Sequence, residues 1–186
     1  SIVQVDFARH AVAAGLPVHP SSPLYNAAQA GTLGYSPQQS QAALEQLRLT
    51  GRSVTLVVNT ENTAKVSAAQ RIAAQLEAVG LTVHLSRLSY DSYVSALAAG
   101  NFDLYLGQVT LPGDFALAPL LSAFQSAQGE TRTKSAADLF AYLNQQSPIV
   151  PVCFKNGSVL TQWSRLSGLS PVRGNVFYQL ENWNLS

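Results

Sequence analysis

The polar residues best placed for chemistry in this sequence follow a β-branched run. Asn59, Thr60, Glu61 and Asn62 come directly after residues 53–58 (SVTLVV). If that run is a strand, the segment starts the next helix at the carboxyl edge of a sheet, where open α/β sheets bind ligands. We therefore predict Asn59 and Thr60 as ligand-binding residues. Helix capping alone is the alternative interpretation of the same four residues.

A second candidate is Asp114, in the loop that follows residues 102–109 (FDLYLGQV). A carboxylate after a strand would lie at the same carboxyl edge of the sheet and could contact a solute. N-capping of the next helix explains Asp114 equally well. Asp103, near the start of that strand, is expected to form a cap or a salt bridge.

Residues for catalysis or metal binding are missing from the sequence. There is no G-x-S-x-G elbow and no glycine-rich phosphate loop after a strand. The three histidines, His10, His19 and His84, are far apart and lack metal-ligand spacing. Cys153 is the single cysteine, which excludes an internal disulfide, and we predict that its thiol is buried and inert. We expect no enzyme activity, no cofactor and no metal site.

Composition indicates one folded domain with an uncharged surface. Of 186 residues, 47% are hydrophobic and 11% charged, which is typical of a well-buried globular chain. The formal net charge is +1 and the basic residues are scattered, so no nucleic-acid surface is expected. No stretch is long and apolar enough to suggest a membrane span.

The middle of the chain alternates strand and helix patterns. Strands are predicted over 53–58, 81–87 and 102–109, with a helix over 63–79 between the first two. A second helix is predicted from Ser89, as its N-cap, to a stop at Gly100. Strands that alternate with helices through short connections form a parallel sheet with right-handed crossovers.

Upstream of this unit, a helix is predicted over 2–14, followed by a proline-rich surface segment over 16–35. The next helix is expected to begin at Ser36, with a capping box completed by Gln39, and to stop near Gly51.

Downstream, two helices are expected between 116 and 146. Strands over 149–154 and 157–163 would flank a hairpin turn at Asn156-Gly157, and a last strand would lie near 176–181. The pattern as a whole indicates an α/β fold with a mixed, mostly parallel sheet and helices on both faces.

Several motifs in order resemble the family 5 solute-binding proteins, the peptide- and nickel-binding group of ABC importers. The resemblance rests on five stretches of sequence. They are Tyr35–Leu44 (YSPQQSQAAL), Ala69–Leu76 (A-x-x-I-A-x-Q-L), Ala78–Val83 (AVGLTV), Leu97–Gly107 (LAAGNFDLYLG) and Leu143–Lys155 (LNQQSPIVPVCFK). Similarity of this kind extends over most of the chain, and the order and spacing of the stretches carry it.

The resemblance implies a lobe of the periplasmic-binding-protein type. Members of the family are much longer and close two lobes around a solute, and residues 1–186 match only the second lobe. We therefore expect the first lobe and a leader to lie upstream of Ser1. The family is extracytoplasmic, often lipid-anchored, and delivers its solute to an ABC permease in the membrane. A monomer is expected.

The resemblance also implies solute contacts after the third strand of the alternating unit. Carried over onto this sequence, they are Tyr105, Gln108, Thr110, Leu111 and Asp114. Peptide binders have an acidic residue at the position of Leu111 and often an aromatic one at Gln108. Oligopeptides or dipeptides are the expected solutes, while nickel chelates and other solutes stay open.

A different class of function fits the same sequence. The lobe also occurs fused to DNA-binding domains, so the chain could be the effector-sensing module of a transcriptional regulator. It would then be cytoplasmic. An upstream leader with a lipid-modified cysteine distinguishes transport from regulation, for which a helix-turn-helix would be expected.

Overall fold

The computed structural model describes most of the chain. Its described residues are 2–8, 10–31, 34–111, 140–141, 145, 149–157, 160–162, 165–172 and 174–185. The chain divides into two compact units, one of Ser1–Ala11 with Ala28–Gln108 and the other of Val12–Ala27 with Val109–Ser186. Asp114 and the helix expected over 116–127 lie outside the described residues.

Helices and strands of the described residues are numbered in chain order. The helices are α1 (Ile2–Val5), α2 (Ala27–Ala30), α3 (Pro37–Gln46), α4 (Thr63–Ala78) and α5 (Tyr90–Ala99), with a 3-10 helix at Leu180–Asn182. The strands are β1 (Ala11–Ala13), β2 (Ser53–Asn59), β3 (Thr82–Leu88), β4 (Leu104–Tyr105), β5 (Cys153–Lys155), β6 (Leu166–Ser167) and β7 (Asn184–Leu185). Of the helix expected over 134–146, Phe140, Ala141 and Gln145 are described, and all three are helical.

Strand β2 is the centre of the first unit. It lies between β3 and β4 and runs parallel to both, with Asn59 opposite Leu88 and Val57 opposite Tyr105. Four consecutive residues, 56–59, are buried. Because consecutive strand residues point to opposite faces, both faces of β2 are covered.

Helices α4 and α5 cover the two faces of β2. The connection through α4 leads from β2 to β3, and the connection through α5 leads from β3 back across β2 to β4. Right-handed crossovers in opposite directions place their helices on opposite faces. On one face Leu56 and Val58 pack with Ala69 and Ala73 of α4. The predicted parallel α/β unit and the predicted fold class are confirmed.

The ends of α4 and α5 follow the predicted signals. Asn62 caps α4 by accepting a hydrogen bond from the Lys65 backbone N–H at 3.1 Å. Ser89 caps α5, and Gly100 ends it in the left-handed conformation with φ 70°. Gly80 follows α4 with φ +104°, a backbone angle that L side chains rarely adopt, so glycine is needed for this turn into β3.

Asp6 ties the amino-terminal segment to α4. Its carboxylate is fully buried and accepts hydrogen bonds from Arg71 Nε at 2.7 Å and from the Ser67 hydroxyl. The hydrogen bond from Arg71 lowers the pKa of Asp6 most, against an opposing effect of burial. The ion pair therefore holds the short helix α1 against the helix that covers β2.

The predicted helix over 2–14 is wrong beyond Val5. Ala8 has a positive φ of 46°, and the His10 N–H donates to the Phe7 carbonyl in a turn. Ala11–Ala13 then forms β1, which pairs with β5. The backbone groups of this stretch are thus satisfied by a strand far along the chain, which overrides the local helical pattern.

The segment over 16–35 also differs from the prediction of a surface crossing. Leu16 and Val18 are fully buried, so this part of the segment does not lie on the surface. Helix α3 begins at Pro37 as predicted, but Ser36 makes no side-chain cap bond. The helix ends at Gln46, before Gly51, since Arg48 takes a left-handed φ of 56°.

Strand β4 is shorter than the predicted 102–109, although its pairing with β2 extends beyond it. The Asp103 carboxylate accepts from the Thr55 N–H at 2.7 Å, and the Asp103 N–H donates to the Thr55 carbonyl. The Leu106 N–H donates to the Val57 carbonyl at 3.0 Å. Asp103 therefore secures the sheet through the backbone of β2, instead of forming the expected cap or salt bridge.

The predicted hairpin around Asn156-Gly157 is wrong in the described residues. β5 pairs with β1, and residues 160–162 are not in a strand. The last strand expected over 176–181 is also wrong, because this stretch forms turns and the start of the 3-10 helix. β7 instead follows it and pairs with β6 in antiparallel fashion.

Replacing Leu56 by alanine tests the central position of β2. Leu56 is 2% exposed and packs against α4, so Leu56→Ala should lower the free energy of unfolding by about 2–5 kcal/mol. The control is Leu47→Ala, at a residue that is 64% exposed. It should change the free energy of unfolding by no more than about 0.5 kcal/mol. Urea unfolding followed by circular dichroism measures both, and equal losses would contradict this description of the core.

Candidate functional site

The carboxyl ends of three parallel strands meet at one edge of the first unit. β2 ends at Asn59, β3 at Leu88 and β4 at Tyr105. The Thr60 N–H donates to the Leu88 carbonyl at 2.8 Å, which joins the first two strand ends. Helices α4 and α5 both begin at this edge, so it has the geometry at which open α/β sheets bind ligands.

A buried lysine lies at this edge. Lys65 is in the first turn of α4, is 8% exposed, and donates from Nζ to Asn59 Oδ1 at 2.5 Å. Its Nζ also lies 5.3 Å from the centre of the Tyr93 ring, on the face of the aromatic system. An ammonium in this position interacts favourably with the ring as well as with the amide oxygen.

Asn59 extends this contact to a carboxylate and a second helix. Its Nδ2 donates to Glu61 Oε2 at 2.8 Å, and Glu61 Oε1 accepts from the Tyr90 N–H at 2.7 Å. The side chains of Asn59, Glu61, Lys65 and Tyr93, with the Tyr90 N–H, are called the edge network below. The network links the end of β2 to the start of α5.

Tyr93 connects the edge network to the third strand end. Its hydroxyl donates to the Leu106 carbonyl at 3.2 Å, and its ring packs edge-on against Tyr105 with centroids 6.5 Å apart. The ring of Phe102 also packs edge-on against Tyr105, with the ring centroids 5.2 Å apart. Burial, with smaller effects of Tyr105 and Tyr90, raises the pKa of Tyr93 to about 12.

Charges in the edge network respond to their surroundings in opposite ways. Burial lowers the pKa of Lys65, and the negative charge of Glu61 partly offsets that effect. The hydrogen bond from Asn59 lowers the pKa of Glu61 most, followed by backbone hydrogen bonds. The amide of Asn59 is hydrogen-bonded to both of these charged side chains, through Oδ1 to Lys65 and through Nδ2 to Glu61.

An open groove runs along α4 beside this edge. Its volume is about 300 Å³. Five of its lining side chains can form hydrogen bonds and one is apolar: Thr60, Thr63, Ser67, Gln70, Arg87 and Val66. Thr60 thus connects the end of β2 to a surface that can accept polar groups of a ligand.

The predicted site residues fall in different places. Asn59, Thr60 and Tyr105 lie at the carboxyl edge, and Gln108 is exposed at the end of the first unit. Asn59 uses its side chain within the edge network, and Asn62 caps α4. The capping interpretation is therefore confirmed at Asn62, while ligand binding by Asn59 and Thr60 stays a prediction.

The other three predicted residues lie beyond the first unit. Thr110 is exposed, Leu111 is partly buried, and both belong to the second unit. Asp114 is outside the described residues. Their role as solute contacts stays a prediction.

Sequence reasoning missed Lys65 and Tyr93, and it gave Glu61 only as part of a possible helix cap. A signal for Lys65 exists, because it shares a helical face with Ala68, Ala69 and Ile72 and a charge on that face must be buried. No local sequence signal indicates that the Lys65 ammonium would lie over the Tyr93 ring, since the two residues lie on different helices.

Metal-binding and thiol chemistry receive no support from the parts of the chain that the structure describes. Within them, no three His, Cys, Asp or Glu side chains converge on a point. Burial raises the pKa of Cys153, which disfavours the reactive thiolate. No described helix combines the length and hydrophobicity of a membrane span.

The raised pKa of Tyr93 predicts a specific loss of stability in alkali. The folded state keeps the phenol proton up to pH of about 12, while an unfolded tyrosine loses it near pH 10.0, so stability falls as pH rises between these values. Tyr93→Phe should lessen this fall, whereas Tyr35→Phe, at a residue that is 80% exposed, should not. Urea unfolding at several pH values measures it, and identical pH profiles of the two variants would contradict the burial of Tyr93.

Comparison with known protein families gives a match over most of the chain. Residues 1–130 match the family model described as bacterial extracellular solute-binding proteins, family 5 middle. No curated protein matches the sequence.

Solved structures share the fold at low sequence identity. A periplasmic oligopeptide-binding protein from Thermotoga maritima, bound to mannohexaose, has a TM-score of 0.74 at 16% identity over 95% of this chain. The periplasmic binding protein DppA from Helicobacter pylori, bound to the peptide STSA, has 0.64 at 16% over 98%. NikA from Brucella suis, bound to Fe(III)-EDTA, has 0.66 at 15% over 83%. The matches cover 42%, 41% and 39% of those chains, so this chain spans less than half their length. The expected periplasmic-binding-protein fold is confirmed.

Proposed function

This chain belongs to the bacterial extracellular solute-binding proteins of family 5, and we propose that it is part of the solute-binding component of an ABC importer. The observation that carries the proposal is the family match over residues 1–130. The open carboxyl edge of the parallel sheet adds a physical place for the solute. Binding and release of a solute require no chemical step, which agrees with the expectation that the chain is not an enzyme.

The solute would contact the end of β2 and the residues after β4. On the first unit, Asn59, Thr60, Tyr105 and Gln108 would offer amide, hydroxyl and aromatic groups. Thr110, Leu111 and Asp114, which follow Gln108 in the sequence, remain solute contacts that only the family resemblance predicts. Amides, hydroxyls and aromatic rings suit a polar solute with apolar parts, as a short peptide is.

Oligopeptides or dipeptides are the proposed solutes. Two of the compared proteins support this class, because one is described as an oligopeptide-binding protein and the other holds a peptide. The Thermotoga protein was solved with a sugar and the Brucella protein with an iron chelate, so one fold accommodates different solutes. The solute class therefore needs a direct measurement.

The remaining parts of the proposal concern the whole protein. Residues 1–186 would form one lobe, and a second lobe would close over the solute by a hinge motion. The protein would act as a monomer outside the cytoplasm, either in the periplasm or lipid-anchored at the outer face of the membrane. Its partner would be an ABC permease that receives the solute.

Native mass spectrometry of the full-length protein, purified without refolding, tests this proposal. We expect an additional mass that corresponds to a bound peptide and is released by mild unfolding. An empty protein that gains mass from nickel chelates or sugars, but not from peptide mixtures, would support solute binding and contradict the peptide assignment. A protein that gains no mass from any of these would contradict the proposed function.

A further inference from the structure

We propose that Lys65 is a positioning residue of the solute site, whose ammonium fixes the Asn59 amide and, through it, the start of α5. The proposal rests on the proposed function, because Asn59 is one of the proposed solute contacts. Lys65 itself would act through its neighbours. None of the residues predicted from the sequence has this role.

The first step is the orientation of the Asn59 amide. A lysine ammonium has only donors and an ionised carboxylate has only acceptors. Asn59, placed between Lys65 and Glu61, must therefore turn its Oδ1 to the lysine and its Nδ2 to the glutamate, as the distances of 2.5 and 2.8 Å show. A neutral side chain at position 65 would remove the reason for this single orientation.

The second step carries this order to another helix. Glu61 uses its second oxygen to accept the Tyr90 N–H at 2.7 Å, at the first residue of α5. An anion at a helix N-terminus is favourable, because the free N–H groups there carry partial positive charge. Holding Glu61 in place therefore fixes the loop after β2 relative to α5.

The third step reaches the end of β4. Lys65 lies over the ring of Tyr93, whose hydroxyl holds the Leu106 carbonyl and whose ring packs against Tyr105. One ammonium thus contacts both Asn59 and the aromatic pair behind Tyr105. Two proposed solute contacts on different strands are linked through a single charge.

Lys65 is costly to bury, which argues against a purely stabilising role. Its hydrogen-bond acceptor is a neutral amide, and the charge of Glu61 only partly offsets the effect of burial on the pKa of Lys65. Methionine has a similar shape without this cost. We therefore expect Lys65→Met to change the unfolding midpoint little, because lost desolvation cost offsets the lost hydrogen bond.

The test uses the full-length protein and peptides of a casein tryptic digest as the probe. Equilibrium dialysis, with retained peptides quantified by mass spectrometry, should show about tenfold weaker retention for Lys65→Met, because solute binding must then order the Asn59 side chain. Lys65→Arg keeps a donor-only cation and should stay within about threefold of the unchanged protein. Lys155→Met, at an exposed lysine, is the matched control and should have no effect.

A second measurement follows the network directly. Hydrogen exchange of the Tyr90 N–H should accelerate in Lys65→Met and be restored in Lys65→Arg. Glu61→Gln should accelerate it too, and it tests the same network from an exposed residue if Lys65→Met does not fold. This readout needs no solute.

The results separate the two proposals. Full peptide retention by Lys65→Met, weak retention by Lys65→Arg, or unchanged exchange at Tyr90 in Lys65→Met and Glu61→Gln would each overturn the positioning role. No retention of peptides by the unchanged protein would contradict peptide binding, and the exchange at Tyr90 would still decide whether Lys65 orders the edge.

Discussion

Burial of β2 on both faces is the constraint on which the first unit depends. A strand whose residues 56–59 are all buried needs a strand on each side and a helix on each face. Parallel neighbours require crossover helices, and right-handed crossovers in opposite directions supply one for each face. The same arrangement brings three strand ends and two helix starts to one edge. The candidate site is therefore a consequence of how the core is built.

Charge at that edge follows from the same packing. α4 must turn its apolar face to the sheet from its first turn, and Lys65 lies on that face. Lys65 is buried, and its ammonium interacts with Asn59 and with the Tyr93 ring. Ordered polar groups beside a hydrophobic core are the usual composition of a small-ligand site.

The sequence predicted the elements whose signals are local. The strand over 53–58, a helix cap within residues 59–62, the cap at Ser89 and the stop at Gly100 depend on neighbours a few residues away. The predictions of a helix through residues 11–13 and of a hairpin at Asn156-Gly157 were wrong, because β1 and β5 pair with each other across a long stretch of sequence. A short apolar run such as Ala11–Ala13 has no local signal that distinguishes helix from strand.

The candidate site divides along the same line. Asn59 and Thr60 could be placed at the edge because they directly follow a clear strand, and Tyr105 because a family resemblance covers β4. Lys65 and Tyr93 could not be paired from the sequence, since their contact depends on how α4 and α5 pack around β2.

We propose that a solute binds at the carboxyl edge of β2 and β4. A crystal structure of the full-length protein with its co-purified solute would show whether it does. We expect solute atoms in contact with Thr60 and Tyr105 and an intact Lys65–Asn59 hydrogen bond. A solute bound elsewhere on the protein, with this edge facing only solvent, would contradict the account.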